Sequence, residues 1–326
     1  MIISQAEDCG IVQTNKVLIT GISGSGGSYL ADYILENNSN VEVRGFSRWH
    51  SMLSSYVDKR IQLHEVDLMD LSSILRAFNK FKPDAIFHMA SHANVRACFD
   101  TPLSVIQNNV MGTANLLEAV RLSEIKPTFI MCSSSEVYGQ VSPIDIPINE
   151  NCLTKPSSPY AVSKLTQDAL AQSYFLSYNI PVIRTRMFSY FNPRRKDLFS
   201  SSFARQVVEI ERGQRKELIH GNLDSVRTMI DIRDACSAYW WSLYCQPGEA
   251  YNIGGDATTT VGDFLELLKK HAKVPIQSRV DPELIRPSDV TLQIPDTRKF
   301  RIKTNWRPRY SLDDSVNHLL EFYRGS

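Results

Sequence analysis

Short apolar runs alternating with amphipathic stretches constrain this 326-residue chain more than any other feature of its sequence. Lys16 to Thr20 (KVLIT), Val41 to Phe46, Ile61 to Leu68, Asp84 to Ala90 and Thr128 to Ser133 each read as a buried strand. Between them, SYLADYILENN, LSSILRAFNKF and VIQNNVMGTANLLEAVRLSE carry apolar residues at helical spacing. Strand–helix–strand repeated this often predicts a parallel sheet with helices on both faces. Right-handed crossovers make it doubly wound, an α/β fold of the Rossmann type. After about residue 190 the strands shorten, and Pro and Arg become frequent (FNPRRKDLF, NWRPRY). Residues 1–190 are therefore read as one domain, with Pro181 to Met187 still a core strand. Residues 191–326 are read as mainly a second, smaller α/β domain, some segments of which return to the first.

Charge and cysteine usage narrow the class. Thirty-six Lys plus Arg against 35 Asp plus Glu leave a formal net charge of +1, with no basic tract. Nucleic acid and an anionic membrane are thus not expected as partners. The cysteines (Cys9, Cys98, Cys132, Cys152, Cys236, Cys245) form no CxxC pair and do not cluster with histidines, so neither a zinc site nor a disulfide framework is expected. No apolar run approaches the length of a membrane span. The first fifteen residues lack a basic stretch followed by an apolar core, so no secretory leader is expected and the predicted location is cytoplasmic.

Thr20-Gly21-Ile22-Ser23-Gly24-Ser25-Gly26-Gly27 joins the first strand to a helix with glycines spaced GxxGxxG. Glycine there permits a tight turn, lets backbone approach a pyrophosphate, and packs helix on strand. The helix N-terminus adds free N–H groups and a positive dipole end. A dinucleotide site over Gly21, Ser23, Gly24, Ser25, Gly26 and Gly27 follows. The second strand ends Gly45-Phe46-Ser47-Arg48, without the acid that would hold a free ribose 2′-hydroxyl. Ser47 and Arg48 suit a 2′-phosphate instead, which predicts NADP rather than NAD; otherwise Arg48 is a solvated surface residue. Asp67 and Leu68 close the third strand, where the adenine is expected to lie, although an Asp there could equally cap the next helix.

Tyr160 and Lys164 stand four apart in Ser158-Pro159-Tyr160-Ala161-Val162-Ser163-Lys164, and Pro159 fits a first helical turn. That spacing puts both side chains on one helix face, where an ammonium would favour the phenolate. Upstream, Cys132-Ser133-Ser134-Ser135-Glu136-Val137-Tyr138-Gly139 leaves the carboxyl end of a buried strand, where ligands of open parallel sheets bind. Ser134 can hydrogen-bond a sugar hydroxyl or carbonyl, and Glu136 can move a proton.

Taken together, TGxxGxxG, SSxExYG and SPYxxSK resemble the extended short-chain dehydrogenase/reductase family. Within it the chain is similar to GDP-mannose 4,6-dehydratases and GDP-4-keto-6-deoxymannose reductases, from about residue 15 to 324. Pro193-Arg194-Arg195, Gly221-Asn222-Leu223-Asp224 with Arg227, Ile285-Arg286-Pro287-Ser288-Asp289-Val290 and Asn305-Trp306-Arg307-Pro308 carry the likeness onward. The resemblance implies Tyr160 as base, Lys164 as its partner on the nicotinamide ribose, Ser134 as the O4 hydrogen-bonding group and Glu136 as acid/base. It also implies cofactor contacts from Met89, Ala90, Ser91 and Arg195, and substrate contacts from His92, Ser189, Arg227 and Arg286. The chain departs from the family pattern where Phe188-Ser189-Tyr190 replaces Phe-Asn-His, where His92 stands for glutamine, and where Trp49-His50 follows Arg48 in place of Arg-rich sequence.

The expected activity is an NADP-dependent nucleotide-sugar 4,6-dehydratase acting on a GDP-mannose-like sugar, in a homodimer or homotetramer. The alternative is an NADPH-dependent 4-keto-6-deoxy-sugar reductase, followed by a 4-epimerase. A non-enzymatic nucleotide sensor would need the glycine loop but not the Tyr160, Lys164, Ser134 and Glu136 constellation.

Overall fold

A computed structural model describes residues 14–48, 56–285 and 290–326. The chain enters on β1 (Lys16–Thr20), then runs through α1 (Ser25–Asn37), β2 (Glu42–Ser47), β3 (Gln62–Glu65), α2 (Leu71–Lys80) and β4 (Ala85–His88). It continues with α3 (Pro102–Ile106), α4 (Gly112–Leu122), β5 (Thr128–Cys132), α5 (Pro159–Tyr178), β6 (Val182–Met187) and β7 (Tyr190–Phe191). Then come α6 (Phe199–Glu211), β8 (Leu218–His220), β9 (Val226–Asp231), α7 (Ile232–Trp241), β10 (Ala250–Ile253) and β11 (Ala257–Thr260). The last elements are α8 (Val261–His271), β12 (Ser278–Val280), β13 (Leu292–Gln293), α9 (Arg298–Thr304) and α10 (Leu312–Arg324).

Seven parallel strands form the central sheet in the order β10-β6-β5-β4-β1-β2-β3. Strand alternation explains the two cores. Val17 and Ile19 of β1 pack with Leu30 and Ile34 of α1 on one face. Leu18 points to the other, against Ile74 and Phe78 of α2 and Leu116 and Val120 of α4. Because both faces are covered, the strands read as continuous apolar runs. The order reverses between β1 and β4, which opens a crevice beyond their carboxyl ends. The strand expected over 61–68 is shorter, ending at Glu65, because the chain turns at Asp67 into the α2 cap. Edge strand β10 was not anticipated: Ala-Tyr-Asn-Ile is too short and too polar to stand out.

The helix expected over 105–124 is not uniform. A π-helical segment, Gln107–Met111, links α3 to α4 and carries the buried Asn109. The wider turn aims that amide at two neighbours: its Nδ2 donates to His92 O at 3.2 Å and to Ser163 Oγ at 2.9 Å. Such turns are found often at functional sites.

Beyond β6, a smaller sheet runs β11-β9-β13 with β7 also on β9, and β12 pairs with β8. Phe203 and Val207 of α6, Phe264 and Leu268 of α8, and Leu319 and Leu320 of α10 form its core. Among the described residues no helix is long and apolar enough to cross a membrane.

Candidate active site

The glycine loop is built by steric necessity. Gly21 has φ +69°, and a Cβ there would lie 2.7 Å from Ala90 Cα. A Cβ on Gly27 would collide with the Gly21 carbonyl oxygen, and one on Gly26 would meet Met89 Cε at 3.1 Å. Gly24 is the N-cap of α1 and offers no side-chain hydrogen bond. The first-turn N–H groups, including those of Ser25, Gly26 and Gly27, are left to face the crevice. Ser23 is half-buried beside them. Ala90 N in turn donates to Thr20 Oγ1 at 3.2 Å, so β1 and β4 hold the loop from both sides.

At the end of β2, Ser47 is buried and Arg48 is exposed. Asp67 is exposed, and its carboxylate accepts Met69 N at 3.0 Å, so it braces its own turn. Leu68 packs beneath Gly112, and its carbonyl accepts Asn115 Nδ2 at 2.8 Å. These residues lie along the β2–β3 side of the crevice, and Met89, Ala90 and Ser91 along the β4 side.

A cavity of about 520 Å³ opens beyond β4, β5 and β6, and Ser134, Glu136, Tyr160, Lys164, Ser189 and Arg227 all line it. Tyr160 sits in the first turn of α5, which Ser158 caps by accepting Ala161 N at 3.1 Å. The pair is deeply buried, Tyr160 at 7% and Lys164 at 4% exposure. Lys164 Nζ donates to the Cys132 carbonyl at 2.8 Å and lies 6.0 Å from the Tyr160 ring centroid.

Burial pushes the Tyr160 phenol well above the ordinary tyrosine range; Arg195 opposes this with its charge, Tyr190 and Glu136 add to it, and Ser134 against the phenol relieves it. Sequence reasoning expected Lys164 to supply the favourable charge; here Arg195 does, because the lysine turns to the β5 carbonyl. Burial and the Arg195 charge bring Lys164 down to about 8.

Ser134 Oγ accepts Glu136 N at 3.2 Å and so caps the 3-10 turn Ser135–Tyr138. A hydroxyl that accepts there keeps its own proton free to donate. The turn is bolted down at its far end. Arg186 Nη1 donates to Tyr138 Oη at 3.0 Å, and Tyr138 Oη donates to Asn252 Oδ1 at 2.7 Å. Arg186 is itself held by Asp168 at 3.0 Å.

Arg195 Nη2 donates to the Ala93 carbonyl at 2.5 Å, and its Nε pairs with Asp197 at 3.0 Å. Tyr190 also lines the cavity, with its hydroxyl toward Gly26. His92 is not brought into the cavity with these groups. Its N–H donates to Asn109 Oδ1 at 2.7 Å, and burial, then the Arg48 charge, lowers the pKa of its imidazole. Arg286 lies outside the described residues.

Several lining groups carried no local signal in the sequence. Ser133 and Ser200 both present buried hydroxyls without a partner among the described residues. Ser200 stands in the first turn of α6, whose N-terminus also has no side-chain cap and borders the cavity. Gln293 reaches the site from β13. Asn109 could have been suspected from consecutive asparagines within an otherwise apolar helical pattern.

A model of the GDP-mannose 4,6 dehydratase family matches residues 18–319. The GDP-mannose 4,6-dehydratase of Yersinia enterocolitica is 30% identical, over 92% of this chain and 91% of that protein. The GDP-6-deoxy-D-mannose reductase of Pseudomonas aeruginosa is 29% identical, over 94% of this chain and 96% of that protein. Among solved structures, RMD from Pseudomonas aeruginosa, complexed with NADPH, superposes with a TM-score of 0.83 at 26% identity, covering 96% of this chain and 99% of the other. UDP-glucose 4-epimerase of Thermus thermophilus, complexed with NAD, has a TM-score of 0.85 at 24% identity, covering 95% and 99%, a likeness of fold.

Proposed function

Since the chain belongs to the GDP-mannose 4,6-dehydratase family, we propose that it is an NADP-dependent 4,6-dehydratase of a GDP-mannose-like nucleotide sugar. The observation that carries this reading is the convergence of Ser134, Glu136, Tyr160 and Lys164 on one cavity at the carboxyl ends of the central strands.

The residues present fit a nicotinamide dinucleotide. Gly21 and Gly27 leave no room for a side chain and Gly24 and Gly26 leave little, and Ser91 and Ser133 offer buried hydroxyls without partners among the described residues. Ser23, Ser25 and the α1 N-terminus would hold the pyrophosphate, Ser47 and Arg48 the 2′-phosphate, and Asp67 and Leu68 the adenine end. Met89, Ala90, Ser91 and Arg195 would line the nicotinamide half. Bound there, the dinucleotide would supply hydride transfer, from C4 of the sugar and back to C6.

Ser134 orients O4, and Tyr160 removes its proton. Arg195 offsets part of the burial cost of the phenolate. Lys164, pinned to the Cys132 carbonyl, would hold the nicotinamide ribose. Once C4 is a ketone the C5 proton is acidic. Glu136 removes it, and the C6 hydroxyl departs as water with that proton; when C6 regains the hydride, C5 takes up one proton, which balances the one Tyr160 took from O4. Arg227, Ser189 and the α6 N-terminus with Ser200 would hold the substrate, the diphosphate gaining from charge-assisted hydrogen bonds. Arg286 is included in this reading on the family pattern, and His92, which does not line the cavity, is left out of it. Residues 1–190 would thus serve mainly the cofactor and 191–326 mainly the sugar nucleotide.

We read the protein as a cytoplasmic homodimer or homotetramer. Leu103, Met111, Leu122 and Leu176, all exposed on α3 to α5 or the π-helical segment, supply apolar surface for assembly. The reductase alternative is supported by the Pseudomonas aeruginosa likeness. Incubation of NADP-loaded protein with GDP-mannose, followed by proton NMR, decides between them. The dehydratase yields a 4-keto-6-deoxy sugar and no net cofactor change. A protein that forms no such product, yet oxidises NADPH against a 4-keto-6-deoxy sugar, is the reductase.

A further inference from the structure

Gln293 is 1% exposed, yet it is a polar amide in the wall of the cavity. Burying an amide is costly unless its hydrogen bonds are made. Here both ends of the amide go to the same short turn. Ser135 Oγ donates to Gln293 Oε1 at 3.2 Å, and Gln293 Nε2 donates to Glu136 Oε1 at 3.4 Å. The orientation is set by charge: reversing the amide would put its carbonyl against a carboxylate.

The strand that brings Gln293 here is firmly tied. Gln293 pairs in register with Arg227 of β9. Ile148 N donates to Ile294 O at 2.8 Å, and Asp296 N donates to Ile148 O at 2.7 Å. Thr291 N donates to Gln140 Oε1 at 2.9 Å. Segment 290–296 is therefore stitched along the loop that follows Glu136, and the Gln293 amide has a fixed place from which to act.

We propose that Gln293 is a positioning residue for Glu136: its amide tethers one carboxylate oxygen and so aims the group that removes the C5 proton. The functional consequence rests on the dehydratase reading; the tether itself does not. Ser134 is the N-cap of the same turn, so its hydroxyl is held within the turn while the Glu136 carboxylate is held from outside it. Ser134 Oγ accepts the Glu136 N–H two residues away. Glu136 is set by a strand 157 residues further along the chain.

Two variants test this. Gln293→Met keeps length and bulk and removes the donor; Gln293→Glu keeps the shape and turns attraction into repulsion. Crystal structures of wild type and Gln293→Met test the tether without any turnover. The expected result is a Glu136 carboxylate rotated away from its wild-type position. An unmoved carboxylate in Gln293→Met overturns the proposal. In steady-state assays with GDP-mannose, Gln293→Met should lower kcat about 10-fold with KM within about twofold, because misaimed groups lose rate more than binding. Gln293→Glu should lose more. Reduced cofactor should accumulate during turnover, seen by its near-ultraviolet absorbance, because the step through Glu136 lags behind oxidation at C4. Unchanged kcat, or a loss of kcat with no accumulation, counts against the proposal. A wild-type protein that releases no water from GDP-mannose defeats the dehydratase reading, and the crystal pair still decides the tether.

Discussion

The Lys164 ammonium donates to the Cys132 carbonyl oxygen at 2.8 Å, which anchors the cation of the Tyr160–Lys164 pair to the end of β5. The contact ties α5 to the strand that launches Ser134 and Glu136, so Tyr160, Lys164, Ser134 and Glu136 share one frame. It also keeps a charge in the interior, with a consequence for stability.

An ordinary lysine holds its proton to about 10.5, whereas burial brings folded Lys164 to about 8. Between those values the unfolded chain binds the extra proton, so this residue's contribution to stability rises with pH there; below about 8 the full cost of the buried ammonium is present. Lys164→Met should therefore raise the unfolding free energy at pH 7 by about 1–3 kcal/mol, read as a higher denaturant midpoint. The advantage should shrink between pH 8 and 10.5. Urea titrations at pH 7 and pH 10 check the sign.

Tyr160→Phe removes only the phenol oxygen. Turnover should fall by about 10²–10⁴-fold, the usual contribution of an acid–base group, while cofactor affinity changes little. Parallel kcat measurements and fluorescence titrations with NADPH separate the two effects.

Glu136→Gln keeps size and removes the base. If Glu136 serves the C5 proton, oxidation at C4 proceeds and elimination does not. Mixing the NADP-loaded variant with GDP-mannose should give a near-ultraviolet absorbance that rises and persists. No rise would place Glu136 before oxidation or outside the reaction.

Arg48→Ala should weaken NADP by about 10-fold, on the order of 1.4 kcal/mol for a lost charge-assisted contact, and leave NAD unchanged. Calorimetric titration with both dinucleotides reads the difference. Equal losses for the two would separate Arg48 from the 2′-phosphate.

Gly21→Ala combines a positive φ of +69° with a Cβ 2.7 Å from Ala90 Cα, both of them backbone constraints. Relief requires β1 and β4 to part at the crevice. The variant should lose at least about 1–2 kcal/mol of stability and most of its dinucleotide affinity. Thermal melts with and without NADP should show both losses.

Much of this protein was legible locally. KVLIT followed by glycines at 21, 24 and 27, and Pro159 behind a Ser158 cap, are signals whose physics is contained in a few adjacent residues. A tight turn needs glycine, a first helical turn tolerates proline, and strands covered on both faces read as apolar runs. Those signals determined the parallel sheet, its crevice, and the shared face of Tyr160 and Lys164. Tertiary structure alone decided which partners meet there. Gln293 reaches Glu136 across 157 residues, Arg195 rather than Lys164 lends its charge to Tyr160, β10 completes the sheet, and the π-helical turn aims Asn109 at Ser163. Each of these depends on crossovers and burial that bring remote segments together. No periodicity encodes them, because the energy of such contacts arises only when the whole sheet has closed around them.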